Sequence, residues 1–284
     1  MKKIFHKKKK AEKNKLKIYM ISVIIGLLII LAGVAYCTPL SKIFDNKKPA
    51  VMVINVDGEV ITTSFFGTYE KRDQNRTNAT SSDMIIRTLD YFSKDDSIKA
   101  FILEINSWGG QTTGKVEIER YIKKMNKPVV AVIKGEALSS GYYVAASTNK
   151  IYAEPSSKIG EITDYFVYVN RNRHGREEIC YITSSNYETI TLDDCRGFES
   201  DIFWKLQSLV KGTHEFLVSR IAEMRGLSAP TVENIPSDTI MSSEEALNLK
   251  LVDEIGTTYD AVNWLEEKLG TKLWIVYLRD MMPQ

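Results

Sequence analysis

The chain has 284 residues, with 38 lysines and arginines against 36 aspartates and glutamates, room for one domain of roughly 200–250 residues and an anchor. Nine of the lysines and one glutamate crowd into residues 1–17, which leaves 29 basic and 35 acidic residues in the remainder. The basic character is therefore local, so no nucleic-acid partner is expected, and a hydrophobic content of 44% with 10% aromatics excludes general disorder.

Residues 18–41 carry no charge, and residues 21–31 are almost wholly aliphatic. Nineteen helical residues, 18–36, span about 28 Å, close to the hydrocarbon thickness of a bilayer. The lysine-rich flank predicts a single-pass membrane protein with its N-terminus in the cytoplasm and its C-terminal domain outside the cell membrane. A cleaved signal peptide is the competing reading. Against it, no small-x-small site follows the apolar run, and Tyr36 stands before Cys37 where a lipoprotein signal needs a small residue. The expected organisation is thus a basic cytoplasmic tail (1–17), a transmembrane helix (18–36), a linker (37–50) and an extracytoplasmic domain (51–284).

Within that domain, residues 51–56 read as a strand stopped by Asp57-Gly58, and residues 64–80 as a polar surface connection. Ser81 or Ser82 caps a helix over 83–93, with Met84, Ile85, Leu89 and Phe92 at helical spacing. Residues 100–105 are a buried strand, and Trp108-Gly109-Gly110 turns into a helix near 113–125. A further buried strand at 128–133 leads through a short loop into a small-residue helix at 139–148. This rhythm implies right-handed crossovers and a mostly parallel sheet. Residues 163–197 are polar and β-leaning. A long amphipathic helix at 199–225 ends at Gly226, residues 240–256 form a capped short helix and a strand, and a helix at 258–269 precedes a last strand at 272–278. Cys180 and Cys195 lie fifteen residues apart; a disulfide in an oxidising compartment and two free thiols both remain open.

Two segments carry candidate chemistry. Asn106-Ser107-Trp108-Gly109-Gly110 sits where a buried strand gives way to a helix. Paired glycines there let backbone N–H groups face a ligand, which suits an oxyanion hole, although a plain turn has the same appearance. Ala137-Leu138-Ser139-Ser140-Gly141-Tyr142-Tyr143 puts a serine at the start of a helix directly after a buried strand. That serine is either an N-cap or a nucleophile.

Together the two segments resemble peptidase family S49, the membrane-anchored signal peptide peptidase A type. That family has Ser-Pro-Gly-Gly followed about thirty residues later by Ser-Gly-Gly-Tyr-Tyr; this chain has Ser107-Trp108-Gly109-Gly110 and Ser139-Ser140-Gly141-Tyr142-Tyr143. Lys150-Ile151-Tyr152-Ala153, Arg225-Gly226-Leu227 and residues 244–256 extend the match, which covers about 50–265. The resemblance implies an α/β fold of the crotonase/ClpP-like kind, a twisted sheet with surrounding helices. It implies Ser139 as nucleophile, with backbone N–H groups of Gly109 or Gly110 and of Ser140 as oxyanion donors. It further implies a homo-oligomer acting on signal-peptide remnants or other membrane-protein fragments. No metal or organic cofactor is expected, since no histidine and cysteine cluster has ligand spacing.

The chain departs from the family at the base. The family's lysine lies in Ser-Gly-x-Tyr-Lys, whereas Ser184-Ser185-Asn186-Tyr187-Glu188 stands here, so Glu188 occupies the lysine position. The family's Thr-Gly-Ser-Ile-Gly likewise appears as Ile159-Gly160-Glu161-Ile162-Thr163. Three accounts follow: an inactive relative that binds peptides or partners; an enzyme using Lys158, Lys205, His174, His214 or Glu188; or a lysine supplied by a neighbouring subunit. An acyl-CoA enzyme on the same fold class fits poorly with a membrane anchor and an outward domain.

Overall fold

Largely apolar runs rich in branched residues build a parallel sheet whose strands are buried on both faces. The computed structural model describes residues 48–62, 79–163, 165–171, 177–183, 200–236 and 238–281, and the domain from Pro49 onward forms one compact unit. In chain order its elements begin with β1 (Ala50–Ile61), β2 (Ala79–Ser81), α1 (Ser82–Ser93), β3 (Ile98–Gly110) and α2 (Thr112–Ile122). Next come β4 (Val129–Leu138), α3 (Ser140–Ala146), β5 (Lys150–Ala153), β6 (Lys158–Gly160) and the hairpin strands β7 (Tyr165–Arg171) and β8 (Glu177–Thr183). The chain continues through α4 (Ser200–Arg225), α5 (Ala229–Glu233), β9 (Ile240–Ser242) and α6 (Ser243–Asn248), and then β10 (Glu254–Ile255), α7 (Thr258–Leu269) and β11 (Trp274–Tyr277).

The main sheet runs in the order β10-β5-β4-β3-β1-β11, with β2 added to β1 and β6 bridging β4 to β9. Its pairings are parallel except for β6 with β9. On one face Val51, Val53, Ala100, Ile102, Val130 and Val132 pack against Ala261, Val262 and Leu265 of α7. The alternate residues Met52, Ile54, Phe101, Leu103 and Ile105 are equally buried, so both faces are covered. Packing Ile182 of β8 against Phe203 and Val210 of α4 makes a small second core.

Four expectations change, the first being that β4, expected to end at 133 in a short loop, runs on to Leu138. Asp57-Gly58 does not stop β1: Gly58 takes φ +71 and the strand continues past a register shift to Ile61, because a bulge absorbs the extra residue without ending the ladder. The strand expected at 100–105 likewise runs on to Gly110, held by pairing of Gly109 with Glu59 and of Gly110 with Val60. The glycine pair is thus extended strand rather than turn. The helix expected from 139 starts at Ser140, with Ser139 outside it. The short strands β2, β6 and β9 went unforeseen, since three residues carry too little periodicity to read. Among the described residues no helix is long and apolar enough to cross a membrane; the expected span at 18–36 lies outside them, as do residues 184–199 with Glu188 and Cys195.

Candidate active site

The parallel ladder aligns the ends of β3, β4 and β6, and the site is built there. Ser107 pairs with Ala137, and Leu138 pairs with Gly160, which brings the Gly109-Gly110 pair to one side of Ser139 and Gly160 to the other. Ser139 has φ +48 and ψ −115, a sparsely populated conformation for a residue with a side chain. Its N–H donates to the Gly160 carbonyl at 2.9 Å, and its carbonyl accepts from the Tyr143 N–H at 3.0 Å. The hydroxyl makes no cap bond to the helix. It donates instead to the Thr163 carbonyl at 3.1 Å.

The neighbouring backbones approach too closely for side chains. A Cβ on Gly109 would lie 3.2 Å from the Ser139 Cβ, and one on Gly141 would lie 2.7 Å from the Ser107 carbonyl oxygen. Gly109 and Gly110 also hold φ +130 and +143, which disfavours any other residue. Ser107 is buried and donates to the Gly58 carbonyl at 2.6 Å, while the Gly109 N–H donates to the Ser107 hydroxyl at 3.3 Å. Ser140 is buried and its hydroxyl donates to the Gly110 carbonyl at 2.9 Å. That bond ties the start of α3 to the end of β3. As the first residue of α3, Ser140 has a backbone N–H with no acceptor inside the helix. The structure therefore brings together Ser139, Ser140, Gly109 and Gly110. Trp108, 43% exposed, stands beside them.

The candidate bases fare differently. Glu188 and His174 lie outside the described residues. Lys158 is exposed and paired with Glu136 at 2.9 Å, and Lys205 is exposed on α4. His214 is buried on α4, with its Nε2 3.6 Å from Glu233 of α5 and its Nδ1 lacking a hydrogen-bond partner among the described residues. None of the last three hydrogen-bonds the Ser139 hydroxyl. Glu161, in the segment that departs from the family pattern, holds φ +47 directly after Gly160. Burial pushes its carboxyl above the ordinary range, and the charges of Glu136 and Asp238 add to the effect.

Behind Ser139 the two tyrosines anchor α3. The Tyr142 hydroxyl donates to the Leu251 carbonyl at 2.8 Å, and the Tyr143 hydroxyl donates to Glu119 at 2.5 Å. Burial raises the pKa of both phenols, and the adjoining Glu119 carboxylate raises that of Tyr143 further. Both therefore serve as neutral donors. Only the tyrosine pair was visible in the sequence; nothing in the spacing pointed to Glu119.

The model of peptidase family S49 matches residues 121–272, and that of the NfeD1b N-terminal domain matches residues 75–165; Ser139 falls in both. A protein of Methanocaldococcus jannaschii named as a protease is 32% identical over 187 residues, 64% of this chain and 60% of its own length. A signal peptide peptidase of Enterococcus faecium is 26% identical over 83% of this chain and 68% of its own. Protease 4 of Haemophilus influenzae is 24% identical over 80% of this chain, which spans only 36% of that relative. With the S49 match extending over more than half of its residues, the chain belongs to peptidase family S49.

Proposed function

We propose that the protein is a membrane-anchored serine peptidase of S49 type whose nucleophile is Ser139. The observation that carries this reading is the backbone of Ser139, held at φ +48 with its hydroxyl making no cap bond to the helix it precedes. An N-cap serine needs no such strain, whereas a hydroxyl presented at a strand–helix junction beside glycine amides has the geometry of acyl transfer. The Ser139 oxygen attacks a peptide carbonyl carbon, its proton passes to a base, and the oxyanion is held by the amides of Gly109 or Gly110 and of Ser140. The C–N bond then breaks, the amine takes the proton, and water hydrolyses the resulting ester.

We assign the base to Glu188, the residue at the family's lysine position; a carboxylate serves there if burial raises its pKa. The substrates are signal-peptide remnants or other membrane-protein fragments, met outside the cell membrane by a homo-oligomer anchored through residues 18–36. The fold of the domain is of the crotonase/ClpP-like kind. The alternative is a peptide- or partner-binding module, and one observation favours it: the recorded partner of the Ser139 hydroxyl is the Thr163 carbonyl, which accepts a hydrogen bond but cannot carry off a proton.

The test is acylation of the full-length protein by a fluorophosphonate. Labelling of the wild type, its absence in Ser139→Ala and its reduction in Glu188→Gln support the peptidase with this base. Equal labelling of wild type and Ser139→Ala, or no labelling of either, sinks it. If Glu188→Lys then labels where the wild type does not, the domain is a binding relative that lost only its base.

A further inference from the structure

The mechanism above leaves unused a group of buried ionisable side chains directly behind the nucleophile. Tyr143 of α3 is fully buried, as is Lys115 of α2, whose Nζ stands 5.4 Å from the Tyr143 ring centre. Glu119, one turn further along α2, is 1% exposed. It accepts from the Tyr143 hydroxyl at 2.5 Å, pairs with Lys123 at 3.2 Å and meets the guanidinium of Arg220 on α4. Three helices thus share one buried carboxylate. Burying a charge is costly unless it is paired and hydrogen-bonded, and α3, α4 and Lys123 just past the end of α2 each supply a donor to this one.

What the carboxylate holds matters more than how it is satisfied. Helix α3 has only seven residues, too few to be stable alone, and its first backbone hydrogen bond runs from Tyr143 to Ser139. Together with the Tyr142–Leu251 and Ser140–Gly110 bonds, fixing the Tyr143 ring fixes the rotation of α3 about its axis. That rotation sets where the Ser139 carbonyl, and with it the strained peptide, must lie. A strained backbone persists only where its surroundings over-determine it. The third partner, Arg220, sits on the helix that follows residues 184–199, the segment carrying the proposed base.

We infer that Tyr143, Glu119 and Arg220 form a positioning relay that holds Ser139 in its nucleophile conformation and couples it to helix α4. The inference deepens the peptidase reading and rests on it for its catalytic consequence. Its structural part stands apart, because constraint on the Ser139 backbone is measurable without turnover.

The experiment uses the full chain in wild-type, Tyr143→Phe, Arg220→Lys and Arg220→Ala forms. Each is followed by the rate of fluorophosphonate acylation and by amide hydrogen exchange over residues 139–147. Tyr143→Phe, which removes one hydroxyl, should slow acylation roughly tenfold or more, as small misplacements of a reacting group do. It should also speed exchange in that segment while the sheet strands stay protected. Arg220→Ala should do the same, and Arg220→Lys should recover most of the loss, since an ammonium still reaches the carboxylate as a point charge. Unchanged exchange in Tyr143→Phe, exchange rising evenly across the whole fold, or Arg220→Lys behaving like Arg220→Ala would each overturn the relay. If the wild type is not acylated, the peptidase reading has failed, and the exchange pattern alone decides the inference by the same criteria.

Discussion

Ser139 and Ser242 each precede a short helix of this domain, and the two serines behave in opposite ways. Ser242, before α6, has φ −68 and ψ 163; its hydroxyl accepts from the Glu245 N–H, and the Glu245 carboxylate answers the Ser242 N–H in a reciprocal capping box. Ser139, before α3, has φ +48 and ψ −115 and makes no cap bond. A cap serine saves a helix one unsatisfied donor at no conformational cost. Ser139 forgoes that gain and adds strain, typically about 1–3 kcal/mol for such a backbone. A departure of this kind from local preference is expected at functional positions rather than structural ones. The pair also measures what a sequence can reveal, for in the one-letter code both are simply a serine before a helix.

Gly109→Ala gives the largest expected effect on that contrast. The new Cβ would press on the Ser139 Cβ at 3.2 Å, on a backbone at φ +130 that disfavours a side chain. Acylation at Ser139 should fall by about two orders of magnitude or more, since the proposed nucleophile and the backbone packed beside it are displaced. The capping box at Ser242 should be untouched, so exchange at the α6 amides should stay at the wild-type level. Acylation near the wild-type rate would remove Gly109 from the site. Gly110→Ala makes a poor substitute, because its Cβ would fall 2.2 Å from the Val60 carbonyl oxygen and damage the β1–β3 pairing itself.

A smaller effect comes from acid. Burial opposes ionisation of Glu119, but hydrogen bonds from Tyr143, Arg220 and Lys123 outweigh it and hold the carboxyl below its ordinary value of 4.5. A folded-state pKa below the unfolded one contributes stability that is present above the unfolded value and is lost as pH falls through the folded one. The melting temperature should therefore drop as pH is lowered below about 4.5, and Glu119→Gln should flatten that part of the curve. Glu161 works in the opposite sense: its raised pKa disfavours the ionised form in the fold, so its contribution improves on acidification. A wild-type acid profile unaltered by Glu119→Gln would show that the buried carboxylate is not what acid attacks.

How much of this was legible beforehand divides along the same line. The alternation of apolar strands and amphipathic helices reveals the parallel sheet, because burial on both faces imposes mainly apolar runs such as Val51–Ile54 and Phe101–Leu103. The capping serine and glutamate of α6 can be read the same way, since the bond is local and its spacing fixed. Ser139 could be singled out only through its resemblance to a family. Its strain arises from contacts with Gly160, Thr163 and Gly109, which lie 21, 24 and 30 residues away along the chain. Glu119 was invisible for a related reason. On α2 it occupies a buried helical position where an apolar residue is usual, and only the tertiary approach of Tyr143 and Arg220 explains a carboxylate there. The glycine pair misled in detail, because a Gly-Gly after a strand has the composition of a turn whether or not a neighbouring strand such as β1 is present to extend it.

The smallest predicted change isolates the comparison most sharply. Glycine reaches the φ and ψ of Ser139 without steric cost, at the price of a more flexible unfolded chain. Strain relief of about 1–3 kcal/mol set against an entropic loss of about 0.5–1 kcal/mol leaves Ser139→Gly more stable by about 1 kcal/mol, although it has no nucleophile. Ser242→Gly starts from an ordinary backbone and loses a working cap, so it should be less stable by a few tenths of a kcal/mol. Denaturant melts of the two variants against wild type, with unchanged slopes, supply both numbers. Opposite signs would show that one serine is kept for stability and the other in spite of it. A destabilised Ser139→Gly would mean that the contacts of its hydroxyl and Cβ outweigh the backbone strain, and Ser139 would then be as much a structural residue as Ser242.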